Sequence, residues 1–298
     1  MEKIYIKARA KINLTLSILE KRPDNYHNLE SVFQKINLYD EMLLEKNSKP
    51  GLELNSNIDG VSIKENIIYK AYYKLKEKFP NITGVRVTLN KKIPMQAGLA
   101  GGSTDCASFL IAMKKLFLLD FSEEEIVEMS ASLGADVPPC LYGGIVKAEG
   151  IGEIITKIDS DLKYYLVIIK PKNTFCCTKE MFEELDNRVY KSEIRTDKIL
   201  SAIEQKDINM LARNLYNDFE EVTTELEEIN EAKKVLKENG AINALLTGAG
   251  SCVFGIFENK QKAKNAYKHL KDNYETYICT SYNKRSKIWA ENQLQQLF

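Results

Sequence analysis

Residues 94–105, PMQAGLAGGSTD, hold three glycines (Gly98, Gly101 and Gly102), followed by Ser103, Thr104 and Asp105. Glycines leave backbone N–H groups uncovered and tolerate positive φ. A Ser or Thr cap at the start of a helix, whose N-terminus carries partial positive charge, completes a cradle for phosphate. A plain turn before a helix is the competing account, and it needs one glycine or two. A Walker A loop would end in Gly-Lys-Ser/Thr, and no lysine follows these glycines. A dinucleotide fingerprint would space its glycines as Gly-x-Gly-x-x-Gly, which this stretch does not.

Other residues have chemical potential and a plainer alternative. Lys11 lies on the polar face of a strand, where it is either a reactive ammonium or one of several solvated bases. Asp136, in GADVPP, is either a free carboxylate or a helix cap. Asp105 reads equally well as a first-turn acid on the helix dipole. Tyr26 and His27 are adjacent, a pairing that can stack on a base and bond its edge, or simply occupy a surface turn. A second glycine loop, Gly248-Ala249-Gly250-Ser251, can press amides against an anion or only reverse the chain.

The elements around these residues are readable. Residues 3–16 alternate, with Ile4, Ile6, Ala8, Ala10, Ile12, Leu14 and Leu16 on one face, which predicts a long half-buried strand. Residues 29–55 predict two more strands. A helix over 66–79 stops at Pro80, and a strand covers 84–90. The glycine loop leads into a helix from Ser103 to Leu119. Ser122 and Glu125 form a capping box. Strand material runs to Thr156, and YYLVIIK opens a further strand at Tyr164. Helices follow to Asn239. Strands at 241–246 and 252–257 flank the second glycine loop, and a helix over 259–272 and a strand over 275–282 close the unit. Strands and helices mix without regular βαβ alternation, which favours α+β.

The chain of 298 residues suits two domains, divided near residue 160. Basic and acidic residues number 42 each, which argues against a general nucleic-acid surface. The six cysteines form no Cys-x-x-Cys pair, and with two histidines there is no zinc constellation. Free thiols in a cytoplasmic protein are expected. The first residues interleave charge with apolar side chains, unlike a signal peptide, and no apolar run reaches membrane-span length.

These pieces resemble the galactokinase, homoserine kinase, mevalonate kinase and phosphomevalonate kinase (GHMP) superfamily. Closer still is its 4-diphosphocytidyl-2-C-methyl-D-erythritol kinase branch. The resemblance rests on AKINLTL (10–16), RPDNYHNLESVFQKINLYD (22–40), ENIIYKA (65–71), KKIPMQAGLAGGSTD (91–105), LGADVPPCLYGG (133–144), KAEGIGE (147–153), NDFE (217–220) and TGAGSCVFG (247–255). It implies a two-domain α+β fold. A ribosomal-protein-like domain over 1–160 would hold the ATP loop, and a ferredoxin-like domain over 161–298 would close a cleft against it. Lys11 and Asp136 would be the catalytic pair. ATP, with Mg2+, would lie on Pro94, Met95, Gln96, Ala97, Gly98, Leu99, Ala100, Gly101, Gly102, Ser103 and Thr104, bordered by Asn66 and Lys92. Ser103 would be the phosphate or metal contact. Tyr26, His27 and Phe182 would hold a cytosine. Asn13 and Gly248, Ala249, Gly250 and Ser251 would lie at the acceptor end. The partner would be a small cytidine-linked alcohol rather than nucleic acid or membrane, and the assembly a monomer or weak homodimer.

Departures from the family pattern fall at Asn25, where glycine is usual, and at Gln96, Ile145 and Lys147. The tail after Tyr282, with Trp289, has no counterpart. Two other functions compete: a superfamily kinase for a smaller alcohol, which would have no use for Tyr26 and His27, and a nucleotide sensor without catalysis, which would have no use for Lys11 and Asp136.

Overall fold

The alternation that opens the chain holds only in its first half. In the computed structural model, which describes residues 2–58, 62, 64–172 and 174–284, strand β1 runs from Lys3 to Lys21. Its side chains alternate in exposure to Arg9, but from Ala10 to Ile18 every residue is buried. The polar residues in that stretch are nevertheless satisfied. Lys11 Nζ donates to Asn13 Oδ1 at 2.7 Å, and Asn13 Nδ2 donates to Ser31 Oγ at 2.8 Å. Thr15 Oγ1 accepts from Val32 N, and Ser17 Oγ donates to the Glu193 carbonyl. Buried polar groups survive only with such partners.

Strand β2 (His27–Asn47) is long enough to serve two neighbours besides β1. Its second half pairs with β4 (Gly84–Asn90), which carries β3 (Leu52–Ser56) in parallel. Its first half pairs with β5 (Ile145–Gly150), which pairs in turn with β6 (Ile154–Ile158). The two-residue strand β8 (Tyr216–Asn217) adds in parallel to β1, making seven strands among the described residues. A second, antiparallel sheet has the order β11-β7-β10-β9, from Glu275–Thr280, Tyr165–Lys170, Val253–Phe257 and Asn243–Leu246.

Helices α1 (Ile67–Lys78), α2 (Gly101–Phe117), α3 (Glu123–Ala131) and α4 (Val137–Cys140) accompany the first sheet. Helices α5 (Thr178–Asp186), α6 (Thr196–Glu204), α7 (Ile208–Arg213), α8 (Glu220–Thr223), α9 (Glu227–Glu238) and α10 (Lys260–Leu270) belong to the second half. Three apolar clusters result. One lies under α1 to α3, and one packs α10 and α9 on the second sheet. The third joins Ala10, Ile12 and Leu14 of β1 to Leu166 and Ile168 of β7 and to Ile199 of α6. That shared core covers the face of Ala10, Ile12 and Leu14; on the opposite face Phe33, Pro139 and Cys140 close over Lys11, which is 2% exposed and not on a solvated face.

Local expectations fare well. The capping box at Ser122 and Glu125 is complete in both directions. Asn25 takes φ 67, the left-handed conformation that asparagine tolerates nearly as well as glycine. Five of the cysteines are buried free thiols and Cys177 is an exposed one. Among the described residues no helix is long and apolar enough to cross a membrane. Trp289 and its neighbours from 285 onward lie outside the described residues.

Candidate active site

Helix α2 begins two residues earlier than its sequence suggests. Ala100 is the N-cap, in the left-handed region at φ 53, and it makes no side-chain cap bond. Ser103 and Thr104 therefore fall inside the first turn instead of capping it. The first N–H groups of a 17-residue helix are left without side-chain partners, the condition under which a helix N-terminus binds an anion. Asp105 moves with the shift. It is buried in the second turn, and its place is set by an ion pair rather than the helix dipole.

That ion pair belongs to a triad beneath the loop. Lys91 Nζ lies 2.5 Å from Asp40 Oδ2 and 2.6 Å from Asp105 Oδ2. Asp40 Oδ1 accepts from the backbone N–H groups of Lys92 and Ile93. A Cβ on Gly101 would lie 3.2 Å from Lys91 Nζ, so the triad braces the loop from behind. Burial pushes the Asp105 carboxyl up to about 8, and Lys91 only partly offsets it. Burial lowers Lys91, but Asp40, joined by Asp105 once that group ionises, outweighs it and raises it. A folded protein that holds a proton on Asp105 loses stability as pH rises from 3.8, the ordinary value, toward about 8, because the unfolded chain gives that proton up sooner. Asp105→Asn mimics the protonated form. We expect its stability relative to wild type to rise between about pH 5 and about pH 8 in urea titrations; a gap independent of pH would mean that Asp105 stays ionised.

The first glycine loop lines a cavity of about 690 Å³ with Asn66, Lys91 and residues 94–102. Asn66 also caps α1, its Oδ1 accepting from Ile68 N. A larger cavity of about 1140 Å³ takes in Lys11, Asn13, Tyr26, His27, Ser103, Phe182 and Gly248 to Gly250. The two cavities share Gln96, Gly98, Asp136 and Thr178. Asp136 stands at the N-terminus of α4 but makes no side-chain cap bond there. Its carboxylate, 47% exposed, lies 3.7 Å from Lys11 Nζ. The helix-cap account of Asp136 thus gives way to a free carboxylate at the junction of two chambers. Lys11 is held by Asn13 below and by the Phe33 ring 4.9 Å away.

Three expected contacts fall elsewhere. Thr104 lines neither cavity: its hydroxyl donates to the Arg9 carbonyl and accepts from buried Lys35. Lys92 points away to Glu41 at 2.6 Å, and its neighbour Lys91 lines the smaller cavity instead. Ser251 is fully buried and lies behind Gly248 to Gly250. Of the departures from the family pattern, Ile145 packs in the shared core, Lys147 pairs with Glu30 and Glu149, and neither lines the two cavities.

The two glycine loops touch. Gly98 has φ +70, and a Cβ there would fall 1.8 Å from the Thr247 carbonyl oxygen. Gly248 has φ +54, and a Cβ there would fall 2.9 Å from the Gly98 oxygen. Thr247 Oγ1 donates to that same oxygen, and Cys252 N donates to the Ala97 carbonyl. Gly248 N donates to Asn13 Oδ1 at 3.0 Å. Tyr26, 56% exposed, lines the larger cavity, while His27 is buried beside it. The His27 ring stacks on Phe182, and Phe182 meets Phe219 edge-on. Asp186, which approaches His27, and Phe219 also line this cavity. The spacing of Phe182 and Asp186, four apart on a helix, was the available sequence signal for the former.

Comparison with known proteins gives one answer. The family model described as GHMP kinases N terminal domain matches residues 66–144, and that described as GHMP kinases C terminal matches 199–276. A 4-diphosphocytidyl-2-C-methyl-D-erythritol kinase of Alkaliphilus oremlandii is 38% identical over 97% of this chain and 100% of its own length. One of the same name from Caldicellulosiruptor saccharolyticus is 39% identical over 93% of this chain and 96% of its own. The crystal structure of a 4-(cytidine 5'-diphospho)-2C-methyl-D-erythritol kinase matches with a TM-score of 0.81 at 26% identity, covering 94% of this chain and 100% of that one.

Proposed function

The chain belongs to the GHMP kinase family, among the 4-diphosphocytidyl-2-C-methyl-D-erythritol kinases, and from that premise we propose its reaction. It transfers the γ-phosphoryl group of ATP to the hydroxyl at position 2 of 4-diphosphocytidyl-2-C-methyl-D-erythritol. The product is the 2-phosphate, in the non-mevalonate route to isoprenoid precursors. The observation that carries this reading is the meeting of the two cavities at Asp136.

ATP occupies the smaller cavity, its phosphates on the amides of the first glycine loop and of the open α2 terminus. The cytidylyl substrate occupies the larger one, with its base at Tyr26, His27 and Phe182 and its acceptor end at Asn13 and Gly248 to Gly250. Asp136 Oδ2 takes the hydroxyl proton as the new O–P bond forms and the bond to ADP breaks. Lys11, 3.7 Å from that oxygen, stabilises negative charge developing between the attacking and leaving groups. Among the described residues no three His, Cys, Asp or Glu side chains cluster as metal ligands. Mg2+ accompanying ATP would have the Ser103 hydroxyl, at the start of α2, within this site to help hold it. Bound there, the metal would supply charge neutralisation at the phosphates.

A phosphotransfer assay with ATP tests the reading. The cytidylyl compound should outperform its uridylyl analogue, methylerythritol phosphate, homoserine and mevalonate; faster turnover of homoserine or mevalonate would remove the branch assignment. Tyr26→Ala removes a stacking face worth about 1–3 kcal/mol, so KM for the cytidylyl compound should rise about 5- to 150-fold with KM for ATP unchanged. Equal losses for both substrates would place Tyr26 outside the base pocket.

A further inference from the structure

One helix grips the His27 ring on two sides. Phe182 and Asp186 are four residues apart on α5 and so share a face. The Phe182 ring stacks on the imidazole at 4.9 Å between centroids and 14° between planes. Asp186 Oδ1 lies 2.7 Å from His27 Nε2. The other carboxylate oxygen, Oδ2, binds Lys21 Nζ at 2.5 Å. Lys21 is itself the cross-strand neighbour of His27 in the β1–β2 register. Burial tends to raise the Asp186 carboxyl, but Lys21 and His27 outweigh it and hold it below its ordinary value.

An ionised carboxylate only accepts hydrogen bonds. The contact therefore requires the hydrogen to sit on Nε2. The second ring nitrogen, Nδ1, has no hydrogen-bond partner among the described residues. Among the described residues the sealed side-chain polar atoms without partners are Asp105 Oδ1, Thr196 Oγ1 and Ser251 Oγ, and Nδ1 is not one of them. Nδ1 thus reaches solvent, and His27 lines the larger cavity.

We infer that Asp186 is a positioning residue: it fixes His27 in the Nε2–H tautomer, so that Nδ1 meets the substrate as a hydrogen-bond acceptor. Cytosine offers an amine donor at its position 4, and uracil offers a carbonyl acceptor there. An acceptor on the protein rewards the first and is left unpaired by the second. This inference rests on the cytidylyl reading of the cavity, and it assigns the selectivity of that site to a residue that need not touch the base. Asparagine at 186 can donate as well as accept, so it releases the choice of tautomer without emptying the space.

The test has two arms. In protein labelled with 15N-histidine only two imidazoles contribute, those of His27 and His269. At neutral pH the His27 signals should show a protonated Nε2 and an unprotonated Nδ1. An Nδ1–H tautomer, or a doubly protonated ring, overturns the inference whether or not any variant folds. In the second arm, Asp186→Asn should raise KM for the cytidylyl compound about tenfold, with kcat and KM for ATP held within about twofold. The ratio of kcat/KM for the cytidylyl over the uridylyl compound should fall about tenfold as well. An unchanged ratio in this variant overturns the inference while leaving the cytidylyl reading intact. A wild-type enzyme with no preference between the two compounds overturns both, so the two failures are distinct.

Discussion

Asp136→Asn lowers kcat about 10²- to 10⁴-fold, the usual worth of a general base, with ATP affinity and thermal stability close to wild type. The stability half of this expectation comes from geometry. Asp136 is the N-cap of α4, yet its carboxylate bonds none of that helix's N–H groups. It is nearly half exposed, so the amide meets no desolvation penalty. Its ion-pair partner among the described residues is Lys11, which retains Asn13 as a partner after the change. Steady-state kinetics, ATP titration by calorimetry and a melting curve together decide the matter. Near-normal turnover would return Asp136 to a structural role.

Lys11→Met should cost about 10²–10³ in kcat, the effect of removing one preorganised group that stabilises transition-state charge. Methionine is the right replacement because Lys11 is buried against Phe33, where alanine would leave a hole beneath the site. A buried charge exchanged for an apolar chain of similar volume is often neutral or stabilising, so the melting temperature should hold or rise. Asn13 keeps its bonds to Ser31 and Gly248, which preserves the floor of the cavity. Turnover per folded molecule equal to wild type would show that the ammonium only fills space.

What was legible in the sequence was local. The Ser122 and Glu125 cap, the helix stop before Pro80 and the left-handed turn at Asn25 depend on a few adjacent residues, and each stands as read. The burial of Lys11 was not legible, because what closes that strand face is Phe33, the segment of Pro139 and Cys140, and the loop at 247–250, all distant in sequence. The start of α2 was misread because Ala100, not a hydroxyl residue, makes the turn into the helix. Thr104 and Ser251 looked like ligand contacts by composition, but the helix and the turn rotate them inward. Strand β8 has two residues, too few for any period to show.

The contact between Gly98 and Gly248 has a bearing on how such a protein can diversify. The two loops meet mainly through backbone atoms, and the one side chain involved is the Thr247 hydroxyl. A seam of this kind is blind to most of the sequence on either side. At this seam the two loops can vary in side chains so long as both glycines stay bare, whereas the shared core ties β1 to β7 and α6 through side chains that must change together. The same seam restricts the designer: a methyl group at position 98 lies within 1.8 Å of the facing carbonyl oxygen, so the loops would have to part before either could be rebuilt.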